Sequence, residues 1–127
     1  MVRKIYIVLG SSGKYDDHCS WVVCSFVSKE KAEEWAELCD LKATEAIKFL
    51  SGNNTWWFKL TYLDVLENNG VHNLSELKNL TPSELEKINA AVKDVRLKFN
   101  PYDVNMNIVD GDAADYWVEE TDLCEEI

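Results

Sequence analysis

The chain has 127 residues, of which 46% are hydrophobic, and it carries a formal net charge of −10 at pH 7. This length suits one folded domain, and the hydrophobic content excludes an intrinsically disordered chain. No run approaches the ~18 consecutive apolar residues of a membrane span, and the acidic balance argues against direct binding to nucleic acid. The apolar run at residues 5–9 is too short for a signal peptide, so we predict a cytoplasmic protein.

Two strands are predicted near the N-terminus. Residues 4–9 are mostly β-branched or aromatic, and the Gly-Ser-Ser-Gly sequence at 10–13 is typical of a loop after a strand. Residues 21–27 form the second strand. Both strands offer apolar side chains on both faces, so the sheet has to be covered on each side, by helices or by a second copy of the chain. The sequence therefore predicts self-association, with a homodimer as its simplest form.

A long helix is the strongest periodic signal in the chain. Ser28 is its predicted N-cap, and Gly52 and Asn53 supply the stop. Apolar residues recur between them at steps of three and four, with charged residues in the intervals. These apolar residues are Ala32, Trp35, Ala36, Cys39, Ala43, Ala46, Ile47 and Leu50.

Two further helices are predicted in the second half of the chain. Residues 56–69 place leucines at helical spacing, although part of this segment also alternates as a strand would. A short helical turn is expected at 75–80. Thr81, Pro82 and Glu84 then mark a helix start, with a threonine cap, a proline in the first turn and a glutamate that completes a capping box.

The C-terminal part completes the predicted fold. Residues 102–115 are expected to form a polar loop, and residues 116–123 a last strand. The order β-β-α-α-α-β predicts an α+β fold, in which a small antiparallel sheet packs with helices and the two termini are neighbours. We expect a single domain over residues 1–127, with residues 53–100 as a helical insertion.

No residue pattern favours catalysis or metal binding. Residues 16–19 bring an acid pair, an imidazole and a thiol together, but neighbours in a strand point to opposite faces, so His18 would not activate Cys19. We assign Asp16 and Asp17 to a binding surface instead. The cysteines lack zinc-ligand spacing, and the segment from Asp103 lacks the glycine and glutamate of a calcium loop. We therefore expect no enzyme activity, no cofactor and no metal ion.

The acidic residues are concentrated at the C-terminal end. The last 28 residues contain nine Asp or Glu and no Lys or Arg. One interpretation is a solvated face that keeps the protein soluble. The other is a negative surface that docks on a basic protein groove in place of nucleic-acid phosphates. The residues predicted for this surface are Asp103, Asp110, Asp112, Asp115, Glu119, Glu120 and Asp122.

Two adjacent tryptophans are candidates for an apolar contact with the same partner. Because Trp56 and Trp57 follow each other in the chain, one of them is expected to point outward. Large exposed aromatic side chains are favoured at protein interfaces. We therefore include both residues in the predicted binding surface, with the outward one as its anchor.

Five short segments together resemble small uncharacterised proteins encoded by bacteriophages and prophages. They are Gly-Ser-Ser-Gly-Lys-Tyr at 10–15, which leads to Trp-Val-Val at 21–23, Ser-Lys-Glu-Lys-Ala at 28–32, Asn-Pro-Tyr-Asp-Val-Asn-Met at 100–106 and Asp-Tyr-Trp-Val-Glu-Glu at 115–120. The resemblance implies a phage accessory protein that acts in the cytoplasm of a bacterial host. Small acidic phage proteins are often inhibitors of host defence, anti-CRISPR proteins among them. The implied partner is a host protein with a basic nucleic-acid-binding surface.

A second function stays open at the level of sequence. The chain could be a module that sequesters a small signalling nucleotide, for instance in a pocket between two subunits. Such a site needs basic side chains near the phosphate groups. The only candidates are Lys14, Lys59 and Arg96, which are scattered along the chain.

Overall fold

The computed structural model describes residues 2–13, 18–109 and 114–124, and it has the α+β architecture that the sequence predicts. The strands are β1 (Val2–Ser12), β2 (Cys19–Phe26) and β3 (Asp115–Cys124). The helices are α1 (Lys29–Gly52), a π-helical turn (Lys59–Leu63) that runs on into α2 (Asp64–Asn68), a 3-10 helix (Leu74–Asn79) and α3 (Pro82–Phe99).

β1 is the central strand of an antiparallel sheet with the order β2-β1-β3. The first and last strands therefore lie side by side, as predicted. The register between β1 and β2 shifts where Val8 pairs with Cys24 and Leu9 pairs with Val22. This shift leaves Val23 as an extra residue on β2, a bulge that lets both Val23 and Cys24 pack toward α1. A simple alternation along β2, as the sequence suggests, does not describe the strand.

The loop predicted at residues 10–13 starts later than expected. β1 continues to Ser12, and Gly10 pairs with Trp21 on one side and with Tyr116 on the other. A Cβ atom built on Gly10 would lie 2.7 Å from the indole ring of Trp21. The glycine is therefore needed for close packing within the sheet. The backbone leaves the strand only at Gly13, whose φ is 86°.

Helix α1 covers one face of the sheet. α1 packs the small residues Ala32 and Ala36 against Val8, and all three are buried. On the opposite face Val22 is 58% exposed, and Trp117 is partly exposed. The strands are apolar on both faces, as predicted, but the described elements cover only one of them. Self-association through the other face stays a prediction.

The segment after α1 is helical and not a strand, and it shares the main core with the rest of the chain. Trp57 packs against Leu50 of α1, and the Thr61 hydroxyl donates to the Trp57 carbonyl at 2.7 Å. The predicted capping box of α3 is present, with Thr81 and Glu84 hydrogen-bonded to each other's backbone N–H. That residues 53–100 are an insertion stays a prediction. None of the described helices combines the length and apolar character needed to cross a membrane.

Candidate functional site

Strand β3 forms an acidic edge of the sheet, which we define as Asp115, Glu119, Glu120 and Asp122. All four side chains are exposed. Among the described strands β3 has a neighbour on one side only, so its other side offers unpaired backbone groups. The register places Glu119 opposite Ile7 and Glu120 opposite Tyr6. Because successive strand residues alternate, the carboxylates project to both faces of this edge.

Two local contacts order part of the acidic edge. The Lys4 ammonium lies 2.6 Å from a carboxylate oxygen of Asp122. This hydrogen bond and the charge of Asp122 raise the pKa of Lys4. The indole N–H of Trp117 donates to Glu119 at 3.2 Å. Lys4 offsets one of the four carboxylates, so Asp115, Glu119 and Glu120 supply most of the negative field.

Asp103, which the sequence assigned to the negative surface, lies in the interior and is only 3% exposed. One of its oxygens accepts hydrogen bonds from the Trp21 indole N–H at 2.8 Å and from the Tyr116 hydroxyl at 2.7 Å. Its other oxygen accepts from the backbone N–H of Asn105 at 3.0 Å. The expectation is wrong because two aromatic side chains, one from β2 and one from β3, need an acceptor when they are buried.

The segment predicted as a polar loop at 102–115 is therefore in part a core element. Met106 and Ile108 are buried in the main cluster. The guanidinium of Arg96 donates to the Met106 carbonyl at 3.2 Å, and the Asn100 amide donates to the Cys39 carbonyl at 3.1 Å. No local sequence pattern indicated that these residues are part of the core. The signal that could have revealed them is the number of indole and hydroxyl donors in a small core, each of which requires an internal acceptor.

Burial perturbs two groups near Asp103. Burial raises the pKa of the Cys39 thiol to about 12, and the nearby charge of Asp103 adds to this effect. Burial also raises the pKa of the Tyr116 hydroxyl, with a further contribution from Asp103. Both groups stay protonated at neutral pH, so neither supplies a nucleophile or a base.

The adjacent tryptophans divide as expected, one inward and one outward. Trp57 is only 2% exposed, whereas Trp56 is 55% exposed. The Trp56 ring lies 5.9 Å from the Phe58 ring, which in turn lies 5.2 Å from the Tyr62 ring. Trp57 cannot contact a partner from inside the core, so the outward anchor is Trp56, with Phe58 beside it.

An aromatic cleft of about 740 Å³ opens next to this exposed pair. We define it by the C-terminal turn of α1, residues 54–58 and residues 107–109, which form its walls. Trp57 lies in one wall, and its indole N–H is buried without an acceptor among the described residues. Leaving such a donor unpaired costs about 1–3 kcal/mol. A buried indole N–H without an acceptor, such as that of Trp57, is unusual in folded proteins.

The other predicted site residues have different outcomes. Asp16, Asp17, Asp110 and Asp112 lie outside the described residues, as does Lys14. Within the described ranges, no group of three or more His, Cys, Asp or Glu side chains is arranged to hold a metal ion. Comparison with protein-family models, curated proteins and solved structures found no match for this chain.

Proposed function

We propose that this chain is a phage-encoded protein inhibitor that docks its acidic edge on a basic, nucleic-acid-binding surface of a bacterial defence complex. The observation that carries the proposal is the side of β3 that pairs with none of the described strands, where exposed carboxylates accompany backbone groups without a described partner strand. No Lys or Arg occurs on this strand. The phage origin and the anti-CRISPR-like role come from the sequence resemblance at both ends of the chain.

The charge density of the acidic edge supports partial mimicry of nucleic acid. From Asp115 to Asp122 the strand extends about 23 Å at ~3.3 Å per residue. One strand of B-DNA carries about seven phosphates over that length. The edge offers four carboxylates, one of which faces Lys4. The protein thus supplies about half the charge of the nucleic acid that it would replace, and its binding should depend on salt accordingly.

Backbone pairing and an aromatic anchor would add the affinity that charge alone does not provide. A free strand edge can accept an extended segment of a partner through main-chain hydrogen bonds. Trp56 is the most exposed of the large aromatic side chains in the described part of the chain and is of the type that dominates binding energy at interfaces. The proposed partner surface therefore combines basic side chains with an apolar pocket.

The experiment is a pull-down from bacterial lysate with tagged wild-type protein and two charge-reversed variants. The first variant is E119K/E120K, on the acidic edge. The second is E33K/E37K, on exposed positions of α1, which changes the net charge equally. We expect wild type and E33K/E37K to retain the same nucleic-acid-binding proteins, which are released by high salt or by added DNA or RNA. E119K/E120K should lose them.

Two results would contradict the proposal. Equal capture by both variants would mean that the acidic edge does not contact the partner. If neither salt nor added nucleic acid released the captured proteins, the acidic edge would not act by mimicking phosphates. The first result would leave the acids of β3 with a role in solubility.

The alternative of a sequestering module for a signalling nucleotide has little physical support. Lys59 pairs with Asp64 at 3.7 Å, and the guanidinium of Arg96 donates to backbone carbonyls and lies 5.9 Å from the Trp57 ring centre. Neither cation lines the aromatic cleft. Phosphate groups in that cleft would meet no compensating positive charge from the described residues.

A further inference from the structure

The face of the sheet opposite α1 is left uncovered by the described helices, and its centre is apolar. Tyr6 and Val8 of β1 point to α1, so Ile7 and Leu9 point away from it, because side chains alternate along a strand. The register places one residue of β2 and one of β3 beside each of them. We define the open face by these two rows, which are Val22, Leu9 and Trp117, and Ser25, Ile7 and Glu119.

The open face has the anatomy of a protein interface. Val22 is exposed and Trp117 is partly exposed, although both are large and apolar, and they flank Leu9 at the centre of the face. The indole N–H of Trp117 donates to Glu119 at 3.2 Å, which orients the ring. A tryptophan in an apolar centre with polar residues beside it is typical of the contacts that dominate binding energy.

The open face is large enough for a weak but specific dimer. Along residues 3–11 of β1 it extends about 26 Å at ~3.3 Å per residue, and strands ~4.8 Å apart make it up to about 14 Å wide. Because side chains stand out from this flat outline, two copies would bury about 1,000 Å² in total, which is the least that a specific interface needs. An interface at this lower limit predicts a weak dimer, with a Kd in the micromolar range.

The charges on the sheet favour one of the two ways in which a second copy can align its strands with the first. If the two-fold axis runs across the strands, β3 lies over β3 of the second copy, and the carboxylates of Asp115 and Glu119 come close to those of the second copy. If the axis runs along β1, β3 lies over β2 of the second copy. β2 carries no charged residue over Cys19–Phe26, so this arrangement avoids the repulsion between like charges.

We propose that a second copy of the chain covers the open face, with the two-fold axis along β1. Each row then lies over the same row of the second copy in reverse order. Val22 packs on Trp117 of the second copy, Leu9 meets its own counterpart, and Ser25 lies over Glu119. The open face is thus complementary to itself, apolar on apolar and hydroxyl on carboxylate, which is the property that a two-fold interface requires.

The dimer leaves part of the acidic edge outside the interface. Glu120 pairs in register with Tyr6, which packs toward α1, so Glu120 lies on the α1 side of the sheet. Asp122 follows on the same side, where it pairs with Lys4. The self-association of the chain is therefore independent of the proposed inhibitor function, and each can be tested without the other.

The test is sedimentation velocity of the full chain at about 5–500 µM, a range that brackets a micromolar Kd. V22E and S25K change exposed residues of the open face, and each has a control of equal charge at Leu41, which is 54% exposed on α1. The controls are L41E and L41K. We expect wild type and both controls to move with concentration from the chain mass of 14.6 kDa toward twice that mass.

The two variants of the open face should shift the dimer in opposite directions. V22E should weaken it at least about tenfold relative to L41E, because symmetry places one carboxylate from each copy against an apolar ring. S25K should strengthen it about threefold or more relative to L41K, because each lysine faces Glu119 of the second copy. This gain should shrink in high salt, as expected for exposed ion pairs.

Three outcomes would overturn the proposal. Wild type could stay at 14.6 kDa over the whole range, which would mean that a second copy does not cover the face. V22E could dimerise as tightly as L41E, which would place the contact elsewhere. S25K could dimerise no more tightly than L41K, which would rule out the axis along β1. Far-UV circular dichroism checks that each variant is folded, and the gain expected of S25K cannot arise from unfolding.

Discussion

Replacing Asp103 by alanine should destabilise the fold more than any other single removal of an acid in the described part of the chain. The substitution leaves the Trp21 indole N–H and the Tyr116 hydroxyl without their acceptor in the interior. Each unsatisfied buried donor costs about 1–3 kcal/mol, so we expect a loss of about 2–6 kcal/mol in the free energy of unfolding. The backbone N–H of Asn105 also loses its acceptor, but this exposed residue can bond to water.

Urea unfolding followed by far-UV circular dichroism measures this loss without relying on tryptophan fluorescence near the mutation. With an m-value of about 2 kcal/mol/M, the midpoint should fall by about 1–3 M. The matched control is Asp115→Ala, an exposed acid of the acidic edge, which should change stability by less than about 0.5 kcal/mol. If both variants lost the same small amount, Asp103 would not be the internal acceptor described above.

The conservative change Asp103→Asn tests the geometry of the same site. Trp21 and Tyr116 both donate to one carboxylate oxygen, so an amide oxygen in that position can serve both. The amide nitrogen would then face the Asn105 N–H as a second donor. We therefore expect a loss between that of wild type and that of the alanine variant. A loss as large as that of alanine would show that the negative charge, rather than the acceptor, matters.

Two further predictions concern the core around this acceptor. Gly10→Ala should cost about 1–3 kcal/mol in the same urea assay, because its Cβ would lie 2.7 Å from a Trp21 ring that Asp103 and the sheet hold in place; an unchanged midpoint would show that the ring moves freely. The buried thiol of Cys39 should make stability fall as pH rises from 9 toward 12, because the unfolded thiol ionises near 9.0 whereas the folded one keeps its proton up to about 12. Cys39→Ala should flatten this decline, and equal slopes between pH 9 and 10 for wild type and variant would contradict it.

Local sequence signals predicted the helices well. The capping box at Thr81 and Glu84 and the small-residue face of α1 are set by neighbours a few positions away in the chain. The pairing of β1 with β3 followed from placing apolar strands at both ends. The helix signals need no knowledge of distant contacts, which is why a single sequence suffices for them, whereas the pairing of β1 with β3 joins the two ends of the chain and was inferred from the outline of the fold.

The site depends on contacts that local patterns do not contain. The interior position of Asp103 follows from Trp21, which lies 82 positions earlier in the chain. An aspartate among polar residues has the same sequence context whether it is solvated or buried. The bulge at Val23 likewise arises from pairing with β1, and it changes which β2 side chains face α1. The sequence indicates that one of Trp56 and Trp57 is buried and the other exposed, but it does not indicate which one is buried.

The acids of β3 also have a simpler role, and the choice of variant separates it from docking. Charged side chains on an edge strand prevent pairing with other sheets, so the acidic edge could exist only to keep the protein from aggregating. Lysine protects an edge as well as glutamate does. E119K/E120K therefore preserves edge protection and reverses only the sign of the charge. If protection is the whole role, this variant stays folded and soluble and captures the same proteins as wild type. If the edge binds a basic surface, the variant stays folded and soluble but loses its partner, because attraction has become repulsion between like charges.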